Sequence, residues 1–239
     1  EINCKYHIYD VNYQQQQYAM AAPSQSVRMQ VLRSTYLLLA LSMIPTAIGA
    51  LIGVNMSFMF LAGSPIMGTI MLIGGMYFLM FMVQKNRNSF AGIVWLMGFT
   101  LFMGGLLGPL LQMALRIPNG SQLILLAALL TSAVFFVMSA MAFTIKRETP
   151  ALTNFLTIGM VVIVIGMIAG IFFHTPMMQL MLCGAFVIFS SMMILWQVNQ
   201  IIIGGETNYI SATLSIYVSL YNLFTSLLQI IIALSGNRR

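Results

Sequence analysis

The sequence predicts an all-α membrane protein, a bundle of seven transmembrane helices. Three observations predict it. Of 239 residues, 60% are hydrophobic and only 6% are charged, whereas soluble domains carry about 25% charged residues. The few charges gather between long apolar runs, as in a polytopic membrane protein. Those runs number seven, and each can supply the ~20 helical residues that cross a hydrocarbon core of about 30 Å. One membrane domain, residues 28–235, then lies between an N-terminal tail at 1–27 and a short basic tail at 236–239.

Residues 1–27 are polar, contain Gln14–Gln17 in a row and have no apolar period. They read as a flexible tail. Met20 opens MAAPSQSVRMQVLR, which reads as a natural N-terminus and would shorten that tail. The first apolar run, 34–61, is too long for a signal-peptide core and is followed by more spans. Its separation from the second, 65–84, rests on Gly63-Ser64-Pro65, because no charge marks it. Lys85 and Arg87 precede the third run, 89–111, and Arg116 precedes the fourth, 122–145. Lys146, Arg147 and Glu148 lead into the fifth, 153–173, and His174 lies in the turn before the sixth, 176–203. Gly204 and Gly205 end that helix, since glycine accepts a left-handed turn, and the seventh run is 210–235.

Seven basic residues (Lys5, Arg28, Arg33, Lys85, Arg87, Lys146, Arg147) fall on the side of the N-terminal tail, against Arg116, Arg238 and Arg239 on the other. The positive-inside rule places the N-terminus in the cytoplasm, and seven crossings place the C-terminus outside. The net charge of +6 is scattered among loops with no basic helix face, so it does not point to nucleic acid.

The seventh run carries Ser211, Ser215, Ser219, Asn222, Ser226 and Gln229 at spacings of 4, 4, 3, 4 and 3. On a helix these form one stripe. Lipid offers such a stripe no partners, so it is expected to face other helices. Gln197, Asn199 and Gln200 of the sixth run are the candidates to meet Ser219 and Asn222 inside the bundle, as interhelical hydrogen bonds or as a small polar cavity. Three GxxxG spacings, Gly49/Gly53, Gly104/Gly108 and Gly166/Gly170, are expected to pack helices within the bundle rather than to form a dimer. The 22 methionines read as adaptable filling.

No catalytic constellation stands out. The spans contain almost no ionisable residue, which argues against a proton relay. HExxH, Gly-x-Ser-x-Gly and Walker patterns are absent, and with only His7 and His174 a serine–histidine pair is not expected. Cys4 and Cys183 form no zinc or disulfide pattern, so no metal or cofactor is implied.

GGETNYISATLSIYVSLYNLF at 204–224 resembles the C-terminal signature of the Bax-inhibitor (transmembrane Bax inhibitor motif) family, in its bacterial YccA-type branch. RSTYLLLALSMIPTA at 33–47, GGMYFLMFM at 74–82 and GFTLFMGGLLGPLL at 98–111 are similar to the same branch, and the resemblance covers roughly residues 28–235. It implies a seven-helix bundle with the last helix near the centre, a placement the polar stripe also asks for. It further implies an inner-membrane regulator that binds and modulates FtsH, a membrane-anchored AAA protease, with the lipid bilayer as its other partner. A tail to grip and a bundle slow to extract would make it a competitor of other substrates. The alternative implied by the family is a cation (calcium) leak gated by two membrane aspartates. Here the matching positions are Gln197 and Ser219, which offer only neutral oxygens, so that mechanism is disfavoured. The motif loop Gly204, Gly205, Glu206, Thr207, Asn208 and Tyr209 is expected to serve structure, with Glu206 or Thr207 at the N-terminus of the last helix.

Overall fold

A computed structural model describes residues 24–56, 65–145, 150–172 and 175–236. Most of the tail, the Gly63-Ser64 part of the first break, Cys4, His7, His174, Glu148, and the basic residues Lys5, Lys146, Arg147, Arg238 and Arg239 lie outside them. The described residues form helices α1 (Gln25–Asn55), α2 (Pro65–Lys85), α3 (Phe90–Leu106), α4 (Gly108–Leu115), α5 (Gly120–Thr144), α6 (Pro150–Phe172), α7 (Pro176–Ile203) and α8 (Tyr209–Gly236), with no strand among them. Six stretches are long and apolar enough to cross a membrane, α3 and α4 together forming one, and α2 contributes a shorter apolar helix from Ile70 to Lys85.

Two boundaries differ from the sequence expectation. The first helix begins at Gln25, ahead of the apolar run at 34 and inside the segment assigned to the tail. Its first turns carry Arg28 and Arg33, and hydropathy marks only the part of a helix that lies in hydrocarbon. The third run breaks at Leu107, and the helix then continues to Leu115. Pro109 sits in the first turn of α4, where its missing N–H costs least.

Hydrogen bonds sort the helix ends. The Arg28 guanidinium donates to the Ile202 carbonyl at the end of α7, Asn199 Nδ2 donates to the Ile145 carbonyl after α5, and Asn208 Nδ2 donates to the Arg87 carbonyl after α2. Arg28, Arg87 and the α7–α8 loop therefore share one end of the bundle. At the other end, Gln112 Nε2 donates to the Val54 carbonyl at 2.7 Å and the Met56 carbonyl at 3.2 Å.

Helices α1 and α3 approach until their backbones touch. A Cβ on Gly49 would run into the Leu101 carbonyl, one on Gly53 into Gly105, one on Gly104 into the Thr46 carbonyl and one on Gly108 into Gly53. The first two GxxxG pairs thus interlock with each other inside one chain, the close approach that small residues allow. The third is looser: Cβ atoms on Gly166 and Gly170 would meet only the Leu182 side chain, at 3.4 and 3.3 Å. Among the described residues, helix α8 packs against α1, α2, α3, α4, α5 and α7, whereas α6 packs against α7 alone. The core around α8 includes Leu96, Phe99, Ile194, Val198, Ile216, Tyr217 and Leu223, all 2% exposed or less.

Candidate functional site

The α7–α8 seam and the loop that joins them gather most of the residues singled out from the sequence. Gly204, at φ 86°, ends α7 in the left-handed conformation. Its N–H donates to the Ile201 carbonyl at 3.2 Å, and Gly205 N–H reaches the Gln200 carbonyl at 2.8 Å. That pair of bonds is a Schellman closure, which satisfies carbonyls left open at a helix end. At Gly205 a Cβ would collide with Gln200 Oε1.

Asn208 caps α8, in place of the expected Glu206 or Thr207. Its Oδ1 accepts from the backbone N–H groups of Ile210 and Ser211, both at 3.0 Å. Those are two donors that a helix start leaves without intrahelical partners. Its Nδ2 donates to the Arg87 carbonyl and to Asn88 Oδ1, each at 2.9 Å, which rivets the loop to the α2–α3 turn. Glu206 acts one step away: its Oε1 accepts from Asn208 N–H at 2.9 Å. The helix starts two residues later than the first candidate because Asn208 satisfies both tasks at once. Thr207 is exposed and Tyr209 half-buried.

Behind this loop lies a polar cavity of about 130 Å³, lined by Trp196, Gln197, Gln200, Gly205, Glu206, Ala212 and Ser215. At ~30 Å³ per water it has room for roughly four. The buried Trp196 indole N–H has no partner among the described residues. Deeper in, Ser219 Oγ donates to Gln197 Oε1 at 3.2 Å and to the Ser215 carbonyl at 3.1 Å. Gln197 and Ser219 are 7% and 5% exposed. The two positions that the resemblance paired are thus joined by a neutral hydrogen bond.

The other stripe residues divide. Ser211 is buried and accepts from Gln84 Nε2 of α2 at 3.3 Å. Ser226 is buried, Asn222 half-buried and Gln229 exposed, with Cys183 Sγ donating to Gln229 Oε1 at 3.5 Å. Asn199 does not join Gln197. It points to the Ile145 carbonyl at 2.7 Å, because residues two apart on a helix face different ways. No group of three His, Cys, Asp or Glu residues able to hold a metal occurs among the described residues.

Sequence reasoning missed a second polar cluster. Thr46 Oγ1 and Tyr217 OH lie 2.8 Å apart, Thr46 Oγ1 donates to the Ser42 carbonyl at 2.8 Å, and Tyr217 OH reaches the Thr100 carbonyl at 3.4 Å. It ties α8 to α1 and α3 beside their glycine contact. The available signal was Pro45 inside a span, since a helical proline leaves a carbonyl without its donor and marks a locally adapted site.

Comparison with known proteins gives the family. A family model described as "Inhibitor of apoptosis-promoting Bax1" matches residues 28–238. An uncharacterised protein of Neisseria meningitidis serogroup A is 43% identical over 208 residues, covering 86% of this chain and 92% of its own. The Escherichia coli K12 protein named "Modulator of FtsH protease YccA" is 43% identical over 202 residues, covering 84% of this chain and 89% of its own. Its counterpart in E. coli O6:H1 is named "Inner membrane protein YccA", with the same identity and coverage. With matches over most of its length and helices able to cross a bilayer, the chain is a multi-pass membrane protein that belongs to the Bax-inhibitor family.

Proposed function

We propose that this protein works in the bacterial inner membrane as a non-enzymatic modulator of an FtsH-type protease, binding it as a substrate that is slow to extract. The observation that carries this is the 43% identity to a relative named modulator of FtsH protease. The inner-membrane location follows the name of the second relative. Physical support for slow extraction comes from the α1–α3 glycine contact and the polar ties of α8. Pulling α1 away breaks a backbone-to-backbone interface, and in hydrocarbon freed polar groups find no water. We take α8 as the central helix, residues 28–235 as one membrane domain, and 236–239 as a short basic tail. The N-terminus then faces the cytoplasm and the C-terminus the periplasm, so residues 1–27 supply the handle that the protease grips.

The test uses proteoliposomes containing the protease and a second membrane substrate. Full-length protein is expected to slow degradation of that substrate in a dose-dependent way, and a chain lacking residues 1–27 is expected to lose the effect. A tailless bundle that inhibits equally overturns the handle. The polar cavity and the Gln197–Ser219 pair favour a second reading, a cation leak. Flux in liposomes with the unaltered protein would support it. Flux that appears only in Gln197→Asp or Ser219→Asp variants would count against it for this chain.

A further inference from the structure

A second cavity lies on the opposite side of α8 from the α7 seam. Helices α1 and α5 both pack on α8 and meet each other through side chains, Tyr36 edge-on to Phe135 at 5.6 Å between ring centroids, while their backbones stay apart and α4 bridges them near one end. The gap between them is about 620 Å³ and is lined chiefly by apolar groups, among them Leu39, Ala47, Leu111, Ala128, Phe135 and Tyr221. Ala47 at its margin is exposed, so the cavity opens sideways from the bundle. In a membrane that side is hydrocarbon.

Three occupants can be weighed by size and chemistry. Water needs two to four polar partners, and this lining is chiefly apolar, with four of its hydroxyl groups bonded to their own helices or to each other. Thr131 Oγ1 donates to the Ala127 carbonyl, Ser132 Oγ to the Ala128 carbonyl, and Thr46 and Tyr217 bond each other. A helix is about 10 Å across with a 1.5 Å rise, roughly 120 Å³ per residue, so the cavity would hold only about five residues of one. A methylene takes up about the room of a water, ~30 Å³, so the cavity holds on the order of twenty. From Tyr36 to Ala50 the α1 wall runs about 21 Å, more than the ~15 Å of one leaflet's hydrocarbon.

The α4 end adds a charge. Gln112 bonds the carbonyls at the end of α1, where two of the helices long enough to cross a membrane finish, at Asn55 and Leu115. Arg116 closes α4 one turn later, is exposed, and has no acidic partner among the described residues. A guanidinium there suits the phosphate of a lipid headgroup. We propose that the groove between α1, α4, α5 and α8 binds one acyl chain of an anionic phospholipid, with its phosphate at the Arg116 end.

The test incorporates the full chain into liposomes with phosphatidylglycerol carrying a photoreactive group near the acyl-chain end. Leu39 and Leu111, 5% and 8% exposed, are expected to be labelled several-fold more than buried Leu156 and Ile163 of α6, 6% and 7% exposed. Equal labelling overturns the proposal and needs no variant. With spin-labelled phosphatidylglycerol, Ala47→Phe combined with Ala128→Leu is expected to lose about one motionally restricted lipid per chain. Val161→Phe on the outer face of α6 is expected to keep it. A filled groove that retains the restricted lipid contradicts the proposal. So does disulfide pairing of Ala47→Cys between two chains, which would make a second copy the occupant. Arg116→Gln is expected to reduce the preference for phosphatidylglycerol over phosphatidylcholine several-fold, and an unchanged preference removes the headgroup contact.

Discussion

Helices α6 and α8 are both long enough to cross a bilayer, yet they live in different surroundings. In its most apolar stretch α8 is 39% buried and α6 only 11%. Among the described residues, helix α8 touches α1 to α5 and α7, while α6 leans on α7 alone. The sequences differ in the matching way. Along α8 a row of serines and amides recurs every three or four residues, whereas the corresponding length of α6 is almost uniformly apolar. Polar groups at a helical period need partners, and in hydrocarbon only neighbouring helices supply them. Uniform apolarity makes no such demand, so a helix that has it can face lipid on most sides.

The glycine contacts sharpen this difference most. Gly104→Leu forces a side chain against the Thr46 carbonyl, a backbone atom that cannot move aside. Overpacking of that kind is expected to cost about 3 kcal/mol or more, read as a lost unfolding transition in detergent titration. Gly166→Leu, facing only the Leu182 side chain across the α6–α7 contact, is expected to cost less than about 1 kcal/mol in the same titration. Equal losses at the two sites would break the contrast.

The motif loop comes next. Asn208→Ala removes the cap of α8 and the tie to the α2–α3 turn. It is expected to destabilise by about 1–2 kcal/mol, with Asn208→Ser recovering part because serine also caps. Hydrogen exchange at Ile210 and Ser211 should rise in the alanine variant, and unchanged exchange would mean the cap is held by other contacts.

The smallest effect belongs to the buried polar seam. Ser219→Ala breaks the bond to Gln197 and is expected to cost about 1 kcal/mol. Thr157→Ala on α6 removes a hydroxyl that is exposed and, among the described residues, bonds only the Thr153 carbonyl of its own helix. It is expected to shift stability by no more than about 0.5 kcal/mol. A larger loss at Thr157 than at Ser219 would reverse the assignment of inner and outer helices.

The same comparison explains what could be read from the chain alone. Helix limits at 176–203 and 210–235 nearly coincide with α7 and α8, because the Schellman glycines and Asn208 punctuate an otherwise continuous apolar pattern. The α3–α4 break was invisible because hydropathy continues through Leu107 to Leu111. The resemblance paired Gln197 with Ser219, and periodicity alone left Asn199 and Gln200 as equal candidates. Only the phase of α7 around α8 separates them. That α1 and α5 leave a gap over α8 depends on which helices are neighbours, and neighbourhood is not written in any one helix's pattern.

The central claim is that an interlocked bundle delays the protease. The most direct measurement compares the full-length protein with its Gly104→Leu variant as inhibitors of FtsH acting on a second membrane substrate in proteoliposomes. The account predicts that the unaltered protein slows that substrate and survives, while the loosened variant is degraded quickly and inhibits much less. Equal inhibition by both, or none by either, would contradict it.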